Sequence, residues 1–312
     1  MRSKKLTAVL AASVALALPV LFASPAAAAT LPATDSLWAI SCNPVGEDYE
    51  AGLFSLNPAD AQATAIGNGT GLDGGDCAFQ PAWNPVTNQA YYISDVDNEL
   101  ATIDLTTGLS TVVGEITGPG LINYPTAMAI GLDGAAYAWD RNGGFFSLDL
   151  ATGAVTLIAD TTLDIWSFSV DPTTGLFYAV DYAGIAYSIT AATGAATVIG
   201  TILADGGDQI YSLQIDTAGA WWVSVWTGTA LTEVWYGARP ADSASVQYEL
   251  VGIVDDTNPD YVPFIEALLI TYPPKLAATG TDSSAVLLGG GAVAMLLIVG
   301  GAMFLGRRRA TA

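Results

Sequence analysis

The chain has 312 residues, of which 52% are hydrophobic and 12% are charged, and its formal net charge is −21. Nucleic acids and anionic lipid surfaces bind proteins through lysine and arginine, so this charge excludes both as partners. The chain contains no histidine, which excludes Ser-His-Asp and Cys-His catalysis and most catalytic zinc sites. Neutral glycans, cationic ligands and metal ions remain open as partner classes.

The first 29 residues have the organisation of a secretory signal peptide. Arg2, Lys4 and Lys5 precede an apolar run over 6–22, and small residues at 26–29 offer a cleavage site. This pattern predicts a signal helix that is removed on export.

Two cysteines, Cys42 and Cys77, follow the signal segment. An exported chain meets a non-reducing environment, so we expect a disulfide between them, with two buried free thiols as the alternative. Without histidine, two cysteines cannot complete the four-ligand shell of a structural zinc site.

The central part of the chain repeats one strand pattern. The segments 101–113, 146–158 and 187–199 each place two short alternating runs around a turn rich in Asp, Thr and Gly. Such a pattern predicts a hairpin, and a second hairpin precedes each of them, as at 81–95 and 167–181. Four short strands in about 40–45 residues are typical of one β-propeller blade.

The repeats can be counted as blades. Four complete units follow one another, at 79–116, 126–159, 166–200 and 210–254. The stretch 37–67 holds only three strands, and 264–271 supplies the missing innermost one, so both ends of the domain would share the first blade. We therefore predict an all-β fold, a single five-bladed propeller closed by N- and C-terminal strands. Six blades are the alternative if 221–254 divides differently. Closure removes exposed sheet edges and favours a monomer.

The repeats resemble those of bacterial extracellular propellers of the quinoprotein-like or YVTN-like kind. The resemblance covers about residues 37–272 and rests on phrases such as Asp171-Pro172-Thr173-Thr174-Gly175. It implies the ring fold and a role in surface binding or scaffolding. The chain has no quinone-binding motif, so we expect no cofactor. Bound calcium is the one alternative.

One face of the predicted ring is rich in acidic residues. In a propeller, the turns between the second and third strands of each blade share a face with the connections between blades, and loops on a rigid scaffold tend to carry binding residues. The candidate ligand or cation residues on these turns are Asp95, Asp97, Glu99, Asp140 and Asp181. Oxygen ligands at alternating spacing over 95–99 suggest calcium, although the glycine of calcium loops is missing. The alternative is that each Asp bonds the backbone of its own turn.

Aromatic residues are also frequent near this face. We expect Trp139 and Trp226, beside the turns, to be the aromatic candidates for sugar binding, because an aromatic ring covers the apolar side of a sugar. Core packing between blades is the expected role of Trp83, Trp166 and Trp222.

The C-terminal segment has the pattern of a localisation signal. Leu276-Ala277-Ala278-Thr279-Gly280 is followed by a polar spacer, an apolar run over 285–305 and Arg307-Arg308-Arg309. The run is long enough to form a transmembrane helix, and the arginines would stay in the cytoplasm. The pentapeptide resembles sortase sorting signals, in the Leu-Ala-x-Thr-Gly variant of Leu-Pro-x-Thr-Gly. The resemblance implies that sortase cuts after Thr279 and joins the protein to cell-wall peptidoglycan. An ordinary single-pass anchor is the alternative.

The chain therefore divides into five predicted parts: a signal peptide over 1–29, the propeller over 30–273, the sorting motif and spacer over 274–284, a transmembrane helix over 285–306 and a basic tail over 307–312. We predict a surface protein anchored to the cell wall. Its propeller would be a non-catalytic binding or adhesion module for a glycan or protein. The alternatives are a carboxylate-based glycosidase, which the absence of histidine still permits, and a structural coat protein.

Overall fold

The computed structural model describes residues 30–41, 52–67, 78–94, 98–120, 125–203, 209–226, 232–256 and 265–274. The signal peptide, Cys42, Cys77, Asp95, Asp97, the sorting motif and the predicted transmembrane span lie outside these ranges. Every regular element within them is a β-strand, and no helix there is long and apolar enough to cross a membrane.

The strands are, in chain order, β1 Ser36–Ser41, β2 Leu53–Leu56, β3 Gln62–Ile66, β4 Ala78–Asn84, β5 Gln89–Ser94, β6 Glu99–Ile103, β7 Ser110–Glu115, β8 Pro125–Ile130, β9 Ala136–Asp140, β10 Gly144–Leu148, β11 Val155–Asp160, β12 Ile165–Val170, β13 Phe177–Asp181, β14 Ile185–Thr190, β15 Ala195–Leu203, β16 Gln209–Ile215, β17 Trp221–Trp226, β18 Thr232–Gly237, β19 Ala244–Gln247, β20 Glu249–Ile253, β21 Asp255–Asp256 and β22 Ile265–Thr271.

These strands form five sheets, which are the blades of a propeller. From the axis outward, blade 1 contains β22, β1, β2 and β3, and blades 2 to 4 contain β4–β7, β8–β11 and β12–β15. Blade 5 contains β16, β17, β18 and β20. The prediction of a five-bladed propeller is confirmed.

Pairing between the two ends of the domain closes the ring. Strand β22 runs antiparallel to β1, with Ser36 opposite Thr271 and Leu37 opposite Ile270. The innermost strand of each blade contacts that of the next, and β16 contacts β22 to complete the circle. The structure describes the innermost strand of blade 1 over Ile265–Thr271, as predicted for 264–271, with residue 264 outside the described ranges.

Residues 221–254, for which the alternative of a sixth blade was considered, contain an additional edge strand instead. After β18 the chain leaves blade 5, and β19 pairs in parallel with β15 of blade 4, with Thr201 opposite Ser245. The chain then returns as β20 to complete blade 5. In the same way, β21 pairs in parallel with β3 of blade 1. These additions cover the outer edges of two blades, where unpaired strand edges would invite association.

The hydrophobic core lies between the blades. Successive side chains of a strand point to opposite faces of its sheet, so adjacent Trp221 and Trp222 fill the gaps on the two sides of blade 5. Trp221 packs with Tyr178 of blade 4 in one cluster, and Trp222 packs with Phe54 of blade 1 in another. Both tryptophans are fully buried.

The ring has two faces, which we call top and bottom. At the top face, the innermost strand of each blade begins and the second strand turns into the third. The bottom face is the opposite one. Residue Asp35, which precedes β1, accepts hydrogen bonds from the backbone N–H and Oγ1 of Thr217 in a bottom turn. Since β22 also ends at the bottom, both ends of the described domain leave through that face.

Candidate ligand-binding site

The acidic turns of the top face are held by their own aspartates. Asp140 Oδ1 accepts hydrogen bonds from the backbone N–H groups of Asn142 at 2.8 Å and Gly144 at 2.9 Å. Asp181 Oδ1 does the same for Ala183 at 3.0 Å and Ile185 at 2.9 Å. Each carboxylate therefore serves the backbone of its own turn, which is the alternative that the sequence left open.

The remaining carboxylate oxygens differ between the two turns. Asp140 is 1% exposed and is buried in its turn. Asp181 is half-buried, and its Oδ2 accepts a hydrogen bond from the hydroxyl of Tyr187 at 3.1 Å. Burial, with a smaller effect of the Asp181 charge, raises the pKa of Tyr187 to about 12, so this hydroxyl remains a donor at neutral pH.

A metal site is not assembled by the residues that the structure describes. No three acidic, cysteine or histidine side chains among them are grouped so that they could hold an ion. Glu99 lies at the start of β6 opposite Glu115, but Asp95 and Asp97 are outside the described ranges. The calcium loop over 95–99 stays a prediction.

The burial of the tryptophans differs from the sequence prediction. Trp139 is 0% exposed and packs against Phe145 and Phe168 in the gap between blades 3 and 4. It therefore offers no surface to a ligand, and its assignment to the binding face is corrected to core packing. Trp226 is half-buried at the top end of β17. Trp166, which was assigned to the core, is also only half-buried.

A β-bulge in every innermost strand explains the position of Trp166. The register shifts at the top end of β4, β8, β12, β16 and β22, each time next to the strand's start. A bulge re-aims the extra side chain that it contains. In blades 4 and 5 these extra residues are Trp166 and Tyr211, which contact the turns of the top face instead of filling the core.

The re-aimed residues form a continuous cluster with the neighbouring turns, which we call the aromatic arc: Trp166, Tyr182, Tyr211 and Trp226. Ring centroids are 4.5 Å apart for Trp166 and Tyr182, 5.7 Å for Tyr182 and Tyr211, and 6.3 Å for Tyr211 and Trp226. All four side chains are half-buried. The arc thus spans blades 4 and 5 at the top face.

Polar groups accompany the arc. The Tyr182 hydroxyl donates a hydrogen bond to Gln209 Oε1 and lies 3.1 Å from the Tyr211 hydroxyl. In the described part of the chain, the buried Nε1 of Trp166 has no hydrogen-bond partner. The guanidinium of Arg141, from the top turn of blade 3, lies 4.6 Å from the centroid of the Trp166 ring.

A buried amide blocks the axis beneath the arc. Gln80 occupies the bulge of β4 with a left-handed φ of 28° and is 2% exposed. Its Oε1 accepts hydrogen bonds from Ser167 Oγ and from the backbone N–H of Phe168 in blade 4. Its Nε2 donates to Ser212 Oγ of blade 5 at 2.9 Å. A single side chain therefore joins blades 2, 4 and 5 directly below Trp166 and Tyr211.

A small cavity lies among the innermost strands, toward the bottom face. Its volume of about 20 Å³ is room for about one water molecule, and its lining is mostly apolar with Ser169, Gln214 and Tyr272 as the polar members. No carboxylate is among the residues that line this cavity. Among the described residues, the axis of the ring is therefore packed beneath the aromatic arc.

Sequence reasoning missed the arc as a unit. Two signals mark it in retrospect. Arg141 and Tyr182 each follow the turn aspartate directly, in Asp140-Arg141 and Asp181-Tyr182. The two re-aimed aromatics share the pattern Ile-aromatic-Ser, at 165–167 and 210–212.

No protein-family model and no curated protein matches the chain. Among solved structures, a chain of a nidogen/laminin complex matches with a TM-score of 0.49 and 11% identity, covering 76% of this chain and 98% of that one. A structural-genomics protein of unknown function from Bacteroides thetaiotaomicron VPI-5482 matches with a TM-score of 0.47 and 14% identity, covering 77% of this chain and 76% of that one. Likenesses at this level carry no argument, and the fold assignment rests on the strand order of the five sheets.

Proposed function

We propose that this chain is a cell-wall-anchored surface protein whose propeller binds a saccharide at the aromatic arc. The arc is the single observation that carries the proposal. Four half-buried aromatic side chains contact one another across blades 4 and 5, with two tyrosine hydroxyls and the Gln209 amide beside them. Aromatic faces cover the apolar side of a sugar, and adjacent polar groups bond its hydroxyls.

The position of the chain ends supports a role in display. Both Asp35 and the end of β22 lie at the bottom face, so the arc points away from the segments that lead to the signal peptide and the sorting motif. Anchoring by sortase after Thr279 would hold the bottom face toward the wall. The sorting-signal resemblance supports this address, with an ordinary membrane anchor as the alternative.

Binding is favoured over glycoside hydrolysis by the two carboxylates of the described top turns, Asp140 and Asp181. A glycosidase needs two carboxyl groups that flank the scissile bond. Asp140 and Asp181 are each engaged with backbone N–H groups, and Asp140 is buried.

The test uses the full-length protein in detergent micelles and a panel of oligosaccharides. Binding is measured by isothermal titration calorimetry and by tryptophan fluorescence. Trp166→Ala and Tyr211→Ala should each weaken binding by about tenfold or more, as expected for the loss of one stacking ring.

Trp38→Ala is the matched control, because Trp38 is also half-buried but lies on blade 1, where its Nε1 donates to Thr271 Oγ1. It should leave affinity unchanged. Failure of the wild type to bind any oligosaccharide would refute the proposal, and so would equal losses in all three variants.

A further inference from the structure

We infer that the saccharide is an acidic one and that Arg141 binds its carboxylate. This inference rests on the proposed function, because it names the ligand class for the same arc. The first observation is that the described domain has very few positively charged side chains. Arg141 and Arg239 are the only lysine or arginine residues in the described ranges, and both are exposed.

Each of the two arginines lies over an aromatic ring, at opposite faces of the propeller, and Arg239 also hydrogen-bonds Tyr178. The Arg141 guanidinium lies over the Trp166 ring of the arc, 4.6 Å from its centroid. The Arg239 guanidinium lies over the Tyr178 ring near the bottom face, 5.4 Å from its centroid. One of the two cations of the described domain is thus placed directly on the aromatic arc, where a ligand would lie.

Stacking prepares Arg141 to bind an anion. A guanidinium that stacks on an aromatic face uses its flat side and leaves its five N–H groups at the edge. No hydrogen-bond or ion-pair partner of this guanidinium lies among the described residues. Because the ring restricts the side chain, less rotamer entropy is lost when the fork binds a carboxylate in bidentate geometry.

The adjacent acid does not neutralise this cation. Asp140 precedes Arg141, but its Oδ1 accepts two backbone hydrogen bonds and its side chain is 1% exposed. The carboxylate is held in the turn that positions Arg141. This leaves one exposed positive fork beside half-exposed rings, which suits a sugar ring that carries a carboxylate.

The net charge of the whole chain restricts the class of acidic saccharide further. A net charge of −21 repels a dense polyanion such as a sulfated polysaccharide. A single carboxylate held at close range by a stacked arginine is affected much less, because salt screens interactions beyond about 10 Å. The geometry therefore points to a saccharide with a terminal or widely spaced carboxylate.

The experiment compares each acidic saccharide with its own methyl ester. The probes are sialyllactose, a hyaluronan tetrasaccharide and a trigalacturonate, each titrated into the full-length protein as the free acid and as the ester. For at least one pair we expect the acid to bind about tenfold more tightly than the ester. Arg141→Gln should remove that preference, so that the acid and the ester bind with similar affinity. Arg141→Lys should retain only part of it, because an ammonium keeps the charge but loses the fork.

Arg239→Gln is the matched control, since it removes the other stacked arginine. It should leave the preference for the acid intact. Equal binding of acid and ester by the wild type would overturn the inference while the proposed function stands. Loss of the preference in Arg239→Gln would also overturn it. Absence of binding by every probe would count against both proposals.

Discussion

Replacing Gln80 with alanine tests how the ring is held at its axis. The Gln80 amide is 2% exposed and bonds blades 4 and 5 from its place in blade 2. Without it, the backbone N–H of Phe168 loses an acceptor that lies at 3.0 Å, in a site closed to bulk water. A buried unsatisfied donor costs about 1–3 kcal/mol, and each further net hydrogen bond contributes about 0.5–1.5 kcal/mol.

We therefore expect Gln80→Ala to lower the free energy of unfolding by about 2–4 kcal/mol. The backbone of Gln80 adds a second, separable contribution. Its φ of 28° is left-handed, where glycine is unstrained, so Gln80→Gly should be less destabilised than Gln80→Ala by about 1 kcal/mol. Urea unfolding followed by tryptophan fluorescence and by circular dichroism measures both differences.

Gln214→Ala is the comparison variant. Gln214 also spans the axis, but its hydrogen bonds are longer, at 3.3 Å from the backbone N–H of Ile270 and 3.4 Å to the carbonyl of Pro81. Its loss should cost about 1–2 kcal/mol. A Gln80→Ala variant that loses less than about 1 kcal/mol, or no more than Gln214→Ala, would refute the view that the buried amide holds the blades together.

Three further predictions concern the turns and an edge. Asp140→Ala should destabilise the fold by about 1–2 kcal/mol because two backbone N–H groups lose their acceptor, whereas Asp140→Asn, which keeps Oδ1, should cost less than half as much in the same urea assay. Burial raises the pKa of Asp171, but hydrogen bonds from Thr173 and Thr174 outweigh burial and hold the pKa below its ordinary value of 3.8. This carboxylate stabilises the fold above the unfolded-state pKa, and the contribution is lost as the pH falls through the folded-state pKa. Asp171→Asn should therefore lose less stability than the wild type between pH 4 and pH 2, and an equal loss in both would contradict the assignment. Ser245→Pro should disrupt the β19–β15 pairing and speed hydrogen exchange in Ala195–Leu203, with β12 and β13 unaffected; uniform acceleration across blade 4 would mean that β19 supports the whole blade.

The blade plan was predictable because the information that specifies it is local. Described hairpins are marked by a turn residue that bonds its own backbone, as Asp171 does with Thr173 and Asp140 does with Asn142. Such turns recur at a fixed spacing and therefore reveal the number of strands. The parallel strand β19 was not predictable in the same way, because its partner β15 belongs to another blade and the four residues of β19 carry no mark of that pairing.

The candidate site was predictable only in part. The sequence predicted ligand binding for Trp139 and core packing for Trp166, whereas the structure buries Trp139 and leaves Trp166 half-buried at the top face. A bulge of one residue at Trp166 shifts the alternation of β12 and turns that ring out of the core. Because side chains alternate with a period of two, a shift of one residue reverses which side chain is buried. The residues next to Trp166 do not indicate the bulge, and the only sequence signal for it is the Ile-aromatic-Ser pattern that recurs in blade 5.

The terminal strand also determines how the ring would bear a mechanical load. A pull between a ligand on the top face and the chain beyond Pro274 would enter the domain through β22, at the axis of the ring. Strand β22 is antiparallel to β1 from Ser36 to Ser41, so the pull acts along the strand and loads its ladder of hydrogen bonds together. A strand at the rim of a blade would instead open one bond at a time. Under the proposed anchoring and ligand binding, ring closure by the last strand would therefore place the load in shear across the β22–β1 pairing.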